Sequence, residues 1–396
     1  MALRYPYAFC VSIAGIFLFL AASVSAMAQT GSHQPAGNLV VETKVHYGFI
    51  YAHNKELNRL TSRFPAFEVS LQKITAGKHV WERIYDYPVL GVVFFYSGLG
   101  SNPDLKQVYA LMPFINFPIV RMKDLTVGFR LAVGAAYFPN PYDSIQNREN
   151  KAIGTHLNAA VNLMFEASCR ISRRLSLSGS IALQHFSNGG WKMPNFGLNV
   201  PLAGIGIAYR PFNAKDDFSL RFPESGKSLP AVSNNRIEFD LGVGIGYKNR
   251  METLNQNYLV YHFYENTFFP VGRKSKFGFG FDLSYDPAQI RLLNLKGYDA
   301  KHRLNYLQPG INAAYALVIS NVEVIMNLGY YTGQVTPNGK YYEKLAIRYN
   351  FARHFFTQLQ FKAHGTTAAY LAWGAGYKFD LRYGKKKENR AGQGLN

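Results

Sequence analysis

The feature that most constrains the fold is a long series of segments in which apolar and polar residues alternate. About sixteen such segments follow one another from Asn38 onward, and the sequence contains no convincing amphipathic helix. Alternation with a period of two is typical of a β-strand that has one apolar and one polar face. The sequence therefore predicts an all-β, antiparallel fold.

The connections between these predicted strands alternate in length. Residues 121–124 and 171–174 are short polar turns, whereas residues 139–155 form one of the long polar connections. Transmembrane β-barrels of the bacterial outer membrane have this parity, with short periplasmic turns and long extracellular loops. Residues 78–86 and 213–235 depart from it, because each is long where a short turn is expected. We therefore expect a barrel of the outer-membrane type with about 14–16 strands.

The composition agrees with a membrane barrel. The chain has 27 Tyr and 30 Phe, and membrane barrels concentrate aromatic residues in girdles at the two interfaces. Beyond the N-terminal region no stretch of about 18 consecutive apolar residues occurs, which excludes a helical membrane protein. A soluble β-sandwich is the alternative fold, but it does not explain the parity of the loops.

The N-terminal region predicts export from the cytoplasm. An apolar run from Ala8 to Val24 is followed by small residues at Ala26 and Ala28, which is typical of a cleaved signal peptide over residues 1–28. An uncleaved helical anchor is the alternative, although the run is short and no stop-transfer charge cluster follows it. With a barrel fold, the signal predicts a location in the outer membrane of a Gram-negative bacterium.

The long stretch at residues 213–234 divides the predicted strands into two halves. We expect residues 38–383 to form the barrel, with a first half over 38–212 and a second half over 235–383, before a basic tail at residues 384–396. One large barrel with a periplasmic excursion is the preferred prediction. Two eight-stranded barrels in tandem are the alternative.

The charge and the last predicted strand indicate partners. An exported chain with a net charge of +19 is expected to meet anionic lipid phosphates in the outer membrane, and not nucleic acid. The last strand ends in Gly374, Tyr377 and Phe379, which resembles the C-terminal signal read by the barrel assembly machinery. His53 and His262 lack metal-ligand spacing, so we predict no metal and no cofactor.

A histidine and a serine interrupt an apolar face in the segment 175–187. His185 and Ser187 are in phase with Leu183, and on the next predicted strand Asn199 is in phase with Ile205. A hairpin centred between these strands places Asn199 opposite His185, within reach of side-chain contact. The three polar residues then form a nucleophile, a base and an amide that orients the base.

The residues around this pair carry a family resemblance. His185-x-Ser187-Asn188-x-Gly190, followed by Pro194-Asn195-x-Gly197, resembles the active-site hairpin of the outer-membrane lipid A 3-O-deacylase family, an acyloxyacyl hydrolase family. The resemblance spans roughly residues 38–212. It implies a small eight-stranded barrel that hydrolyses an ester-linked acyl chain of lipopolysaccharide from its lipid-facing wall.

The same resemblance assigns roles to residues of this chain. It implies that Ser187 is the nucleophile, that His185 is the general base, and that Asn188 and Gly190 form the oxyanion hole with support from Asn195. The family pattern has a glutamate where this chain has Asn199, the residue expected to orient His185 here.

A non-catalytic barrel is the alternative function. A barrel of about sixteen strands is wide enough for an aqueous channel, in which the hairpin would be a relict. An open path through the lumen would favour the channel, whereas a packed lumen would favour the enzyme. As a comparison for His185, we expect His364 to face the lumen, because its in-phase neighbours are mostly polar.

Overall fold

The computed structural model describes residues 38–211, 236–250, 256–299, 306–333, 339–365 and 367–382. The predicted signal peptide, the connection at 213–234 and the basic tail at 384–396 lie outside these ranges. Sixteen antiparallel strands form two closed barrels of eight strands each. The all-β, antiparallel prediction is confirmed, and the arrangement is the one given above as the alternative.

The first barrel contains eight strands in sequence order and closes where β1 pairs with β8. Its strands are β1 Leu39–Phe49, β2 Arg63–Ile74, β3 Val89–Ser97, β4 Val108–Arg121, β5 Leu125–Tyr137, β6 Leu157–Arg170, β7 Leu175–Ser187 and β8 Leu198–Tyr209. A short helix, α1 (Val80–Ile84), lies between β2 and β3.

The second barrel repeats this plan and closes where β9 pairs with β16. Its strands are β9 Arg236–Arg250, β10 Gln256–Val271, β11 Ser275–Tyr285, β12 Leu307–Ile319, β13 Val322–Tyr331, β14 Tyr341–Asn350, β15 Phe355–His364 and β16 Thr367–Arg382. A helix of eight residues, α2 (Ala288–Leu295), lies in the loop between β11 and β12.

The preferred prediction of one large barrel over residues 38–383 is therefore wrong. Strand β8 is covered by β1 and does not pair with β9, so each sheet of eight strands has no free edge. Alternation and loop parity are the same in one large barrel as in two small ones, so they do not reveal which strands close the sheet.

Most observed connections have the predicted parity. The exceptions include the β2–β3 link, which contains a helix, the β8–β9 link, which joins the barrels, and the β15–β16 link, which is two residues long where a long loop is expected. Short turns link β4 to β5, β6 to β7, β10 to β11, β12 to β13 and β14 to β15. The long link after β2 holds α1 and the β11–β12 loop holds α2, two short helices that the sequence pattern did not reveal. Within the described ranges, neither helix is long and apolar enough to cross a bilayer.

Buried charges cross the lumen of the first barrel. Arg130 on β5 donates to both carboxylate oxygens of Glu68 on β2 at 2.5 and 2.7 Å, and Lys44 on β1 lies 2.8 Å from Glu166 on β6. These pairs join strands that are not neighbours, so they bridge the barrel wall to wall. Above them, towards the long loops, buried apolar side chains that include Phe95, Phe138 and Phe186 fill the lumen.

The lumen of the second barrel is also filled by ion pairs. Lys276 contacts Glu238 and lies 2.9 Å from Glu323. Arg348 pairs with Asp240, and Lys344 pairs with Asp282. All these side chains are buried, and removing one member of such a pair would leave an uncompensated charge. Among the described residues, buried ion pairs thus lie in the lumens of both barrels.

Candidate active site

The candidate site lies on the outer face of β7 at the end that carries the long loops. Ile181 and Leu183 are 64% and 42% exposed, whereas the alternate residues Gln184 and Phe186 are fully buried in the lumen. His185 and Ser187 continue the outer face and are half-buried. On the adjacent strand, Asn199 pairs directly with His185, which confirms the predicted register of the hairpin.

A chain of hydrogen bonds orients the His185 ring. Its Nδ1 lies 2.7 Å from Oδ1 of Asn199, whose Nδ2 lies 3.0 Å from Nδ1 of His53. Nε2 of His53 in turn lies 3.1 Å from the backbone oxygen of Phe196. This chain of hydrogen bonds thus links His185 on β7, through Asn199 on β8, to His53 just after β1.

The hydrogen bond between His53 and the Phe196 carbonyl determines which nitrogen carries the proton in both histidines. The Phe196 carbonyl oxygen can only accept, so His53 carries its proton on Nε2 and presents a lone pair at Nδ1. Asn199 then donates from Nδ2 to His53, and its Oδ1 accepts from His185 Nδ1. Neutral His185 therefore has its basic lone pair at Nε2, the atom that a general base needs.

Ser187 accepts two hydrogen bonds at Oγ. One comes from the side-chain amide of Asn195 at 2.8 Å and the other from the backbone N–H of Gly189 at 3.1 Å. Within the described part of the chain, no hydrogen bond joins Ser187 to His185. Both lone pairs of the hydroxyl are used, which leaves its proton available for transfer to a base.

Asn188 and Gly190, expected to form the oxyanion hole, take part in hydrogen bonds within the loop. The Asn188 side chain accepts from the backbone N–H groups of Gly190 and Trp191 at 3.0 Å and donates to the Lys192 oxygen at 2.8 Å. These bonds close the loop after β7, so the two residues shape it and do not present free donors to Ser187. The donors that reach Ser187 are those of Asn195 and Gly189.

The Asn195 amide is itself held in place. Its Oδ1 accepts from the backbone N–H of Asn188 at 3.0 Å, which fixes the direction in which Nδ2 donates. Asn188 and Asn195 are both buried. The loop thus aims one side-chain donor and one backbone donor at the same hydroxyl oxygen.

Gly197 provides the space into which the His185 ring fits. Its φ is +76°, and a Cβ atom at this position would lie 3.0 Å from His185 Cε1 and 3.5 Å from Ser187 Cβ. We expect Gly197→Ala to lower the kcat of any reaction that uses His185 as a base about 10- to 100-fold, because the substitution strains the backbone and displaces the ring. Steady-state kinetics on purified protein would measure this change.

Gly179→Ala is the matched control, because Gly179 lies on β7 and a Cβ atom there would contact nothing within 4 Å. Equal kcat values for Gly197→Ala and Gly179→Ala would contradict this role for Gly197.

His53 is a residue of the site that the sequence did not predict. His53 reaches Asn199 because β1 closes the barrel against β8, and Tyr51 donates from its backbone N–H to the Asn199 oxygen at 2.8 Å. The available signal was the family resemblance over residues 38–212, because a barrel that closes after eight strands places residues after β1 beside the start of β8. His364 lies on the lumen face as predicted, where its Nε2 is 3.0 Å from the Tyr331 hydroxyl.

Comparisons with known proteins match the two barrels separately. The family model described as lipid A 3-O-deacylase (PagL) matches residues 66–210, and the model described as the acyloxyacyl hydrolase C-terminal domain matches residues 237–382. Together they cover well over half of the chain. No curated protein matches it.

Two solved structures are each similar to part of this chain. Neisserial surface protein A is 9% identical, with a TM-score of 0.31, covering 44% of this chain and 97% of that one. The outer membrane enzyme PagL is 10% identical, with a TM-score of 0.28, covering 42% of this chain and 98% of that one. On the evidence of the two family models, this outer-membrane β-barrel protein belongs to the lipid A 3-O-deacylase (PagL) family.

Proposed function

We propose that the protein is an outer-membrane ester hydrolase that removes an acyl chain from lipid A, with Ser187 as the nucleophile and His185 as the general base. The observation that carries this proposal is the hydrogen-bond chain through Asn199 and His53, which selects the tautomer of His185 that has its lone pair at Nε2. His185 and Ser187 lie on the same outer face of β7. The family membership supports the same substrate class.

The proposed reaction has two stages. In the first, Ser187 Oγ attacks the ester carbonyl carbon while His185 Nε2 accepts the hydroxyl proton. The Asn195 amide and the Gly189 N–H, which already point at Ser187 Oγ, stabilise the oxyanion that forms next to it. The intermediate collapses, the ester C–O bond breaks, and the imidazolium returns the proton to the departing lipid A hydroxyl.

In the second stage, water hydrolyses the acyl-enzyme. His185 takes a proton from the water as it attacks the acyl carbon, and Ser187 leaves with that proton. The products are a free fatty acid and deacylated lipid A, and the enzyme regains its starting protonation state. Reaction at the second stage uses the same two oxyanion donors.

Asn199 takes the place of the family's acidic residue in this proposal. Its amide orients His185 and selects the tautomer, although it stabilises the imidazolium less than a carboxylate would. His53 supports this role by accepting from the Asn199 amide, which keeps Oδ1 turned towards His185. We therefore propose a working but slow triad of Ser187, His185 and Asn199, with His53 behind it.

The location of the site fits a substrate that stays in the bilayer. We propose that the outer face of β7 faces lipid, so that lipid A in the outer leaflet reaches Ser187 by lateral diffusion. Leu183 and Ile181 continue the same exposed face towards the membrane centre, where acyl chains lie. The channel alternative is disfavoured because ion pairs bridge both lumens.

We further propose that residues 1–28 are removed on export and that the barrel assembly machinery inserts the protein. Gly374, Tyr377 and Phe379 lie on β16, the last strand of the second barrel. This placement is consistent with a C-terminal strand signal.

Mass spectrometry of lipid A tests the proposed function. Cells that produce the protein should contain a lipid A species lighter by one acyl chain, together with an equal amount of the free fatty acid. Cells that carry an empty vector provide the baseline. Identical lipid A in both strains, with the folded protein present in the outer membrane, would overturn the proposal.

A further inference from the structure

The loop that follows Ser187 is docked against the second barrel. We call residues 188–193 the seam loop. The backbone oxygen of Gly190 accepts from the N–H of Asn249 at 2.9 Å, and the N–H of Met193 donates to Asn249 Oδ1 at 3.2 Å. The Trp191 ring packs on Tyr247, with 4.2 Å between ring centroids. Both Tyr247 and Asn249 belong to β9.

The glycines of the seam loop face β16 of the second barrel. An added Cβ at Gly189 would lie 3.5 Å from Leu371 Cβ, and one at Gly190 would lie 3.7 Å from Ala368 Cβ. Leu371 pairs directly with Tyr247, so β9 and β16 present one continuous surface to the loop. The segment that supplies a donor to Ser187 therefore has the second barrel as its outer wall.

A second contact joins the barrels at their periplasmic ends. The Tyr85 hydroxyl, on the residue that follows α1, donates to the backbone oxygen of Val318 at 2.7 Å. Trp81 and Tyr85 pack with Ile319 of β12. Strands of such barrels tilt by about 35–45°. One side of a barrel therefore contains the long-loop end of one hairpin and the periplasmic end of a different hairpin. The two contacts can thus lie along a single interface.

The second barrel carries no comparable site on its own outer face in the residues described. In its β15–β16 hairpin, His364 faces the lumen and is followed by Gly365. Its lumen is filled by ion pairs. The contact with the seam loop is therefore the place where this barrel lies beside the candidate catalytic residues.

We propose that the second barrel is a positioning scaffold for the active site, in which Tyr247 and Asn249 hold the seam loop so that the Gly189 N–H stays directed at Ser187. This inference rests on the proposed function. Gly189 and Gly190 both have positive φ angles, of 70° and 83°. Consecutive glycines lose much conformational freedom on ordering, so a loop of this kind needs an external contact to keep one geometry.

Kinetics on the full chain test the proposal. We expect Tyr247→Ala and Asn249→Ala each to lower kcat for lipid A deacylation about 10- to 100-fold with little change in KM, because a misplaced donor affects the transition state. Tyr247→Phe keeps the ring against Trp191 and should keep kcat. Tyr341→Ala is the matched control, since Tyr341 is an exposed tyrosine on the outer face of β14.

Cross-linking tests the contact independently of activity. In a Cys169→Ser background, Trp191→Cys combined with Tyr247→Cys should be joined by a short bifunctional thiol cross-linker, because the two rings they replace pack with 4.2 Å between centroids. Neither position has a positive φ, so the substitutions do not strain the backbone. Absence of the cross-link in folded protein would overturn the docking. A normal kcat in Tyr247→Ala and Asn249→Ala would overturn the positioning role, even where the cross-link forms.

The two failures are distinguishable. If wild-type protein deacylates lipid A and Ser187→Ala does not, while Tyr247→Ala and Asn249→Ala keep the wild-type kcat, only the scaffold inference fails. If wild-type protein and Ser187→Ala are equally inactive, the proposed function fails and the inference fails with it. A fall in kcat in Tyr247→Ala and Asn249→Ala, with Tyr247→Phe and Tyr341→Ala unaffected, supports the scaffold inference.

Discussion

Ser187→Ala and His185→Ala should each reduce lipid A deacylation about 10⁴-fold or more, because members of a nucleophile–base pair act as a unit. Both side chains are half-buried on the outer face and belong to no packed core, so each variant should still fold into a heat-modifiable barrel. The measurement is the rate of fatty acid release by purified protein, together with the electrophoretic shift on heating.

Ser180→Ala is the matched control, because Ser180 lies on the same strand but faces the lumen. It should retain wild-type activity. Fatty acid release by Ser187→Ala at the rate of the control would show that another residue is the nucleophile. Loss of activity in Ser180→Ala as well would point to a general effect on the strand.

Asn199→Glu should raise deacylation, by at least tenfold and at most by about 10⁴-fold, the loss seen when the acid of such a triad becomes an amide. A carboxylate opposite His185 would stabilise the imidazolium that forms as Ser187 attacks. The gain falls short of the maximum because Asn199 also donates to His53, and a carboxylate has no proton to give. His53 would have to move its own proton to Nδ1 and lose the bond to Phe196.

Asn199→Gln is the control that separates charge from length, because Gln and Glu have the same shape. Only the Glu variant should exceed wild type in initial rates of fatty acid release. His53→Phe removes the anchor of the chain and should lower wild-type kcat about tenfold while having little effect in the Asn199→Glu background. Equal rates for Glu and Gln at position 199 would show that another group orients His185.

The parts of the site that were predictable from the sequence are those within one hairpin. His185 and Asn199 are fourteen residues apart, and alternation along β7 and β8 is enough to pair them. His53 is different, since it meets Asn199 only after β1 has closed the barrel. Closure depends on which strand edges meet over more than 100 residues, and alternation contains no information about that choice.

The same limit explains the number of barrels. Every strand of the second half has the alternation and turn length that a single sixteen-stranded barrel would need, and the decisive pairings are β1 with β8 and β9 with β16. Helix α1 was also missed, because its five residues are too few to show a helical period. The orientation of the Asn188 side chain depends on loop hydrogen bonds that residue types alone do not specify.

Closure of each sheet within its own half of the chain has a consequence for assembly. Among the described residues, no backbone ladder joins β8 to β9, and the barrels meet through contacts of the seam loop and of the residues around α1. A covalent connection makes this association intramolecular and raises the local concentration of one barrel around the other. The peptide chain itself thus acts as the tether that keeps the interface between the barrels occupied.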